Sequence, residues 1–300
     1  MPSPPVIVCR AASHQHSVTA LLEHNWPGVT AVVDRAAALG APWFAGSTPF
    51  AVFEGDEAIA HAGVVELPML VQGTPGRYAG IHAVCTHPAR RGRGLARAVI
   101  EAAIDYCERR FDAALLFAIE PAVYHRFGFR TVTEHLFLAR APSPERHGHQ
   151  LRRLSANDPA DVSLVHRICR DRAPISNRLG PCEPGWLFVL DEILARRGFG
   201  RLYYAEGLDA LFVLERHGRA LNIYDLVAPT LPSIAAVLGA LPFEVDQLQL
   251  YFTPDRFEAE LTAGGAELRT RALEGFDQLM IRGPFDCGDQ PFMIPTLARC

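Results

Sequence analysis

The chain has 300 residues, with 29 basic and 33 acidic side chains and a formal net charge of −4. Its 49 % hydrophobic content is ample for packed cores, which excludes disorder for the bulk of the chain. The acidic balance argues against a nonspecific nucleic-acid binder, whose phosphate affinity would need a basic surface.

A length of 300 residues corresponds to roughly two domains. No apolar run approaches the roughly 20 residues of a membrane span, and the N-terminus lacks the pattern of a signal peptide. The seven cysteines are odd in number, widely spaced and without a CxxC pair. Free thiols in a reducing, cytoplasmic setting are expected, with no disulfide framework. The 12 histidines are scattered, so no metal site is expected.

Residues 6–12 read as a strand. Residues 18–24 and 29–39 carry helical spacing, divided by Pro27 and Gly28. Residues 50–54 and 58–67 read as strands joined by a Gly55–Asp56 turn, and 79–86 as an apolar strand that ends at His87–Pro88. A basic, Gly-containing turn at 90–94 leads into 95–110. There Leu95, Val99, Ala102, Ala103 and Tyr106 recur at helical spacing. Residues 113–119 read as a strand, 122–127 as a short helix and 131–139 as a further strand.

The polar, Pro-bearing stretch around 142–150 reads as a linker. A weaker version of the same order follows. Helices are expected over 161–171, 186–195, 231–240 and 256–263. Strands are expected over 201–205, 210–215, 220–227 and 247–252, with a strand pair within 266–280. The expected class is α/β with a mixed (α+β) sheet. The expected units are 1–141, a diverged duplicate at 151–281, and a tail at 282–300 that packs on another part of the protein.

Residues Val84 to Ala96 join a strand to an amphipathic helix. Such a junction aims successive backbone N–H groups and a helix N-terminus at one point, which suits a pyrophosphate. Gly92 and Gly94 permit positive φ and close backbone approach, and Arg90, Arg91 and Arg93 add charge. The stretch lacks both the P-loop pattern and the dinucleotide fingerprint. Read on composition alone, it is equally a basic turn before a helix.

Arg91-Gly92-Arg93-Gly94-Leu95-Ala96 resembles the Arg/Gln-x-x-Gly-x-Gly/Ala motif of the GCN5-related N-acetyltransferase (GNAT) superfamily. About 33 residues beyond Arg91, the segment Tyr124-His125-Arg126-Phe127-Gly128-Phe129 resembles that family's Tyr-x-x-Phe-Gly-Phe element. The resemblance implies two GNAT-like domains, each a twisted mixed sheet flanked by helices, with acetyl-CoA as cosubstrate. It implies that Val84, Cys85 and Thr86 bond the pantetheine arm through their backbone. Arg91, Gly92, Arg93, Gly94, Leu95 and Ala96 would wrap the pyrophosphate, and Tyr124 would be the general acid. Cys85 as a nucleophile is the lesser alternative, because no partner base is evident.

His82 lies two residues before Val84, so strand alternation puts both on one face. A histidine here resembles the arylalkylamine acetyltransferases and implies a role in deprotonating the amine; a core histidine is the other reading. The degenerate second half and the tail resemble the enhanced-intracellular-survival (Eis) acetyltransferases. That resemblance implies that the Cys300 carboxylate reaches the active site.

Residues 225–231 occupy the second half's strand–helix junction without Gly or Arg, so a single catalytic site is expected. The second half would then shape the acceptor pocket. Trp26, Trp43, Phe44 and Phe50 are candidate acceptor-site aromatics, and Asp34, Glu66 and Glu120 are candidate counter-charges to a cationic acceptor. The function expected is direct acetyl transfer to a primary amine of a small molecule or peptide. A non-catalytic acyl-CoA sensor, or a transferase of another acyl group, is the alternative.

Overall fold

The computed structural model describes residues 7–9, 14–145, 151–182, 185–195, 198–274, 277–296 and 299. The chain begins with β1 (Ile7–Cys9), α1 (Gln15–Asn25), α2 (Val29–Ala38) and the short α3 (Trp43–Gly46). Next come β2 (Ser47–Glu54), β3 (Glu57–Val71), β4 (Thr74–Thr86), α4 (Leu95–Glu108), β5 (Ala113–Ala118), α5 (Ala122–His125), β6 (Arg130–Thr131) and β7 (His135–Arg140). The later part runs β8 (Leu151–Arg153), α6 (Pro159–Arg170), β9 (Leu179–Pro181), α7 (Gly185–Leu194), β10 (Leu202–Ala205), β11 (Ala210–His217) and β12 (Ala220–Val227). It closes with α8 (Ile234–Gly239), β13 (Gln247–Leu250), α9 (Glu258–Leu261), β14 (Arg269–Ala272) and β15 (Gln278–Arg282).

Helix boundaries follow identifiable caps. The Glu23 carboxylate accepts the N–H groups of Gly28 (2.5 Å) and Thr30 (2.9 Å), so the end of α1 caps the start of α2. These bonds hold the Glu23 carboxyl below its ordinary value. Asp158 caps α6 through the Ala160 N–H, and Pro159 occupies the first turn, where no N–H is needed.

Two sheets organise the molecule. The first runs β1-β2-β3-β4-β5-β15-β6, with β9 paired to the far end of β3. The second runs β14-β7-β13-β12-β11-β10-β8. Among the described residues, only β4–β5 is parallel in the first sheet and only β12–β13 in the second. One apolar core spans both halves, joining α1 and α2 to α7 and to one face of each sheet. A second core lies between the first sheet and α4, and a third lies between the second sheet and α8.

Besides the short β9, two strands lie in a different sheet from the one their place in the chain suggests. The division expected at residue 141 groups β7 with the first half, yet β7 pairs with β13 and β14 in the second sheet. The unit expected to end at 281 contains most of β15, yet β15 pairs with β5 and β6 in the first. The physical reason is burial. Leu279, Met280 and Ile281 are all buried, so neither face of β15 tolerates solvent and the strand must be central. β14 is largely exposed and takes an edge. The single strand expected over 131–139 is accordingly broken into β6 and β7, with buried Glu134 between them.

Candidate active site

Strands β4 and β5 pair only from Tyr78–Ala113 to Gly80–Leu115, then separate. Beyond that point β4 stays bonded to β3 as far as Thr86, while β5 is held along its length by β15. The two strands are thus pulled to opposite sides, and a wedge opens between their C-terminal ends. In such a sheet a ligand's own backbone-like groups can satisfy the strand edge.

Val84, Cys85 and Thr86 line a cleft of about 620 Å³ at this opening. The loop after β4 and the start of α4 supply Arg91, Gly92, Gly94, Leu95 and Ala96. Arg93 is exposed and is not part of the lining. Gly92 and Gly94 have φ of +78° and +77°, and no atom lies within 4 Å of where a Cβ would stand, so both open onto free space. Gly94 is the N-cap of α4, and no side chain caps the helix. Its first N–H groups and its dipole therefore face the cleft, which suits an anion.

Arginine charge is distributed unevenly here. Arg90 is paired with Glu54. The Arg91 guanidinium donates to the neutral Asn25 amide at 3.1 Å, which leaves its charge uncompensated by that contact. The buried Thr86 hydroxyl has no hydrogen-bond partner among the described residues. An orphaned hydroxyl, an uncapped helix and splayed strands together fit the extended, anionic cosubstrate that the sequence motif implies.

Tyr124 stands in the same cleft, on α5, with its ring in edge contact with Phe129 at 6.3 Å. Burial pushes its phenol above the ordinary value, so it stays protonated and can donate. Phe127 and Phe129 are buried beneath it. Gly128, at φ +79°, leaves room for Arg282 of β15, which donates to the Phe127 carbonyl. Burial pushes the Cys85 thiol up to about 12, so no thiolate is present for nucleophilic attack.

His82 belongs to a second cavity, of about 440 Å³, lined also by residues of α2 and α7. Strand alternation would have set it on the same face as Val84. A bulge prevents this: Gly63 pairs with His82 and His61 with Cys85, so β4 carries one extra residue, and Ala83 sits at φ +49°. His82 therefore shares a face with Cys85, and Val84 turns toward α4.

The His82 Nε2 lies 2.7 Å from the Ser47 hydroxyl, and its ring packs against Trp43 at 5.3 Å. An edge of the ring still opens to the cavity, but protein surrounds the rest. Burial, with His61 nearby, lowers its pKa to about 3, so the imidazole is neutral at physiological pH.

Trp26 borders both cavities and is 46 % exposed, which places it at their junction. Trp43 lines the second cavity. Phe50, by contrast, lies in the core on the α4 side, 5.4 Å from Tyr106. Glu66 sits beside Arg77 at 3.7 Å on the surface. The acidic groups at the second cavity are instead Asp191 on α7 and Asp277 before β15. Both come from the later part of the chain, and so does Trp186. Sequence reasoning missed them because no local signal ties α7 to α2.

Arg299 also lines this cavity. It pairs with Glu134 and lies 4.5 Å over the Phe117 ring. The expectation about Cys300 falls outside the described residues.

The corresponding places in the second half are filled by protein. The first N–H groups of α8 go to the Ser233 hydroxyl (3.0 Å from Ala236) and to the Glu260 carboxylate (2.8 Å from Ile234). Beyond the β12–β13 pairing, Thr253 exchanges two hydrogen bonds with Met293, whose side chain is fully buried. Among the described residues no group of three or more His, Cys, Asp or Glu is placed to hold a metal.

The first sheet, splayed beside an uncapped helix N-terminus, is the part of the fold that holds this cleft. Residues 20–132 match the family described as Acetyltransferase (GNAT) domain. The match lies within the first half of the chain. Its overall fold is similar to a probable N-acyltransferase of Enterococcus faecalis (14 % identity, TM-score 0.57, 93 % of this chain and 72 % of that one). It is also similar to Eis1 of Mycobacterium abscessus (20 % identity, TM-score 0.55, 90 % and 71 %). A GCN5-related N-acetyltransferase of Kribbella flavida shares the fold as well (18 % identity, TM-score 0.53, 92 % and 71 %). No curated protein matches the chain.

Proposed function

We propose that the protein transfers the acetyl group of acetyl-CoA directly to a primary amine, with one active site in its first half. The second half is a GNAT-like unit whose own cleft is closed by Glu260 and by the segment around Met293. The observation that carries this reading is that Tyr124 shares one cleft with Val84–Thr86 and the uncapped start of α4.

In this reading the pyrophosphate rests on the N–H groups of Arg91–Ala96, and the pantetheine arm lies along Val84, Cys85 and Thr86. The thioester then points toward the junction marked by Trp26. A neutral amine nitrogen attacks the carbonyl carbon, and the C–S bond breaks. Tyr124 gives its proton to the departing thiolate, which has an ordinary pKa near 8.5. The proton lost by the amine returns to solvent and restores Tyr124.

His82 is too weak a base to hold that proton. Its neutral imidazole instead accepts a hydrogen bond from the attacking nitrogen and fixes its direction. Dispersed free thiols at Cys85, Cys169 and Cys287 support a reducing, cytoplasmic setting.

The test is free-thiol release from acetyl-CoA in the presence of amines, for the native protein and Tyr124→Phe. The expected result is a loss of kcat of about 10²-fold or more with an unchanged Kd for CoA. Equal turnover by the two proteins would remove Tyr124 as the acid. CoA binding without turnover on any amine would favour the sensor reading.

A further inference from the structure

We propose that His61 is a positioning residue for the first cleft: from β3 it holds the bulge of β4 and so fixes where the strand edge Val84–Thr86 stands. The inference rests on the acetyl-CoA reading above and deepens it. His61 is opposite Cys85 and Gly63 opposite His82, so Ala83 and Val84 together face the single residue Ala62. Such a bulge takes a residue out of the ladder and leaves its backbone groups to find other partners. The Ala83 carbonyl oxygen lies 2.9 Å from His61 Nδ1. A carbonyl only accepts, so the imidazole donates its Nδ1–H, and a side chain from the neighbouring strand satisfies the bulge.

The bulge has no local device of its own. Ala83 stands at φ +49°. That conformation is costly for a residue with a Cβ, so an alanine there must be held by contacts from outside its own segment. His61 is 1 % exposed, and water does not compete for its bond. Burial lowers its pKa to about 4, so at neutral pH the ring carries one N–H and one bare nitrogen. His61 lines neither cavity, so it acts through Ala83 and not by touching substrate. Ala83 itself joins the two places. It lines the second cavity with His82, and the next three residues line the first cleft. Without the bulge, strand alternation would return Val84 to the face of His82 and take Cys85 from it. The pantetheine arm would then meet a strand edge out of register.

The experiment compares His61→Asn with His61→Gln in the full-length chain. An asparagine amide nitrogen falls about where Nδ1 stands, whereas the glutamine amide reaches about to Nε2. Thermal unfolding establishes that each variant is folded. His61→Asn is expected to keep the Kd for CoA and the kcat of thiol release within about threefold of the native protein. His61→Gln is expected to raise the Kd for CoA about tenfold, the effect of loosening backbone hydrogen bonds to the cosubstrate. Its kcat should fall about 10²-fold, because the reacting groups are misplaced. The imidazole nitrogen NMR spectrum of native His61 should show a protonated Nδ1 and a bare Nε2.

Equal behaviour of the two variants would overturn the inference, as would a spectrum with the proton on Nε2. Should His61→Gln fail to fold, recovery by His61→Asn and a protonated Nδ1 together uphold it, and the lack of either removes it. The two readings fail separately. CoA binding in the expected order without thiol release upholds His61 as the holder of the cosubstrate strand and removes acetyl transfer. Native CoA binding and turnover in both variants leave acetyl transfer standing and remove the role of His61. Absence of CoA binding by the native protein overturns both.

Discussion

Ser47 and His82 bond to each other across an intervening strand. Ser47 is on β2 and His82 on β4, and between them β3 presents Gly63. A Cβ on Gly63 would come within 2.6 Å of the imidazole and 2.8 Å of the Ser47 hydroxyl. The bare backbone of Gly63 is therefore what permits the pair, and the pair is what holds the imidazole at the second cavity.

Gly63→Ala should separate these groups. The expected cost is about 1–3 kcal/mol, the usual range for overpacking a filled site. A rise in KM for the amine should accompany it, with the Kd for CoA unchanged. Thermal unfolding and steady-state kinetics check this, and an unaltered KM would show that the Ser47–His82 bond does not position the acceptor.

His61 and His82 predict a pH dependence of stability. Burial lowers their pKa values to about 4 and about 3, from an unfolded value near 6.5. As pH falls below about 6.5, the unfolded chain takes up protons that the folded histidines refuse. Stability contributed by the neutral rings is thus complete above pH 6.5. It is lost toward pH 4 at about 1.4 kcal/mol per pH unit for each ring. His82→Gln should flatten the slope of urea-unfolding free energy between pH 6 and pH 4. Parallel slopes for the two proteins would mean that His82 titrates normally.

Glu134 and Arg299 form a pair with 3 % and 13 % of their side chains exposed. Glu134→Ala would leave a buried guanidinium uncompensated and would strip the Ile294 N–H of its acceptor. A loss of about 3 kcal/mol is expected. Replacing both residues, as Glu134→Leu with Arg299→Met, should recover most of it. Chemical denaturation of the three variants decides, and additive losses would argue against a coupled pair.

The Glu260 carboxylate accepts the N–H groups of Ile234 and Ala235 at the start of α8. Glu260→Ala should cost about 1 kcal/mol through loss of a cap. It should leave CoA binding at one equivalent per chain, because Met293 still fills the space beyond β12 and β13. Calorimetric stoichiometry tests this, and two equivalents would show that the carboxylate alone had closed a second site.

Much of the first cleft was legible in the sequence because its signals are local. The 3.6-residue spacing of Leu95, Val99, Ala103 and Tyr106 marks α4. The glycines at 92 and 94 mark positive φ, and the interval to Tyr124 carries the second motif. These depend on backbone conformation and chain order, which neighbouring residues largely set. The bulge at Ala83 has no such mark, since alanine shows no preference for φ +49°, and it alone reverses the face on which His82 lies.

Tertiary structure decided what depends on partners far apart in the chain. β7 and β15 lie in different sheets from those their places in the chain suggest, because burial on both faces, not chain order, governs which strand is central. The second cavity takes Trp186 and Asp191 from α7, which meets α2 only when the shared core closes. The neutrality of His82 likewise arises from what surrounds it. A sequence specifies the conformations each segment can adopt; which segments remove one another from water is fixed only by the assembled core.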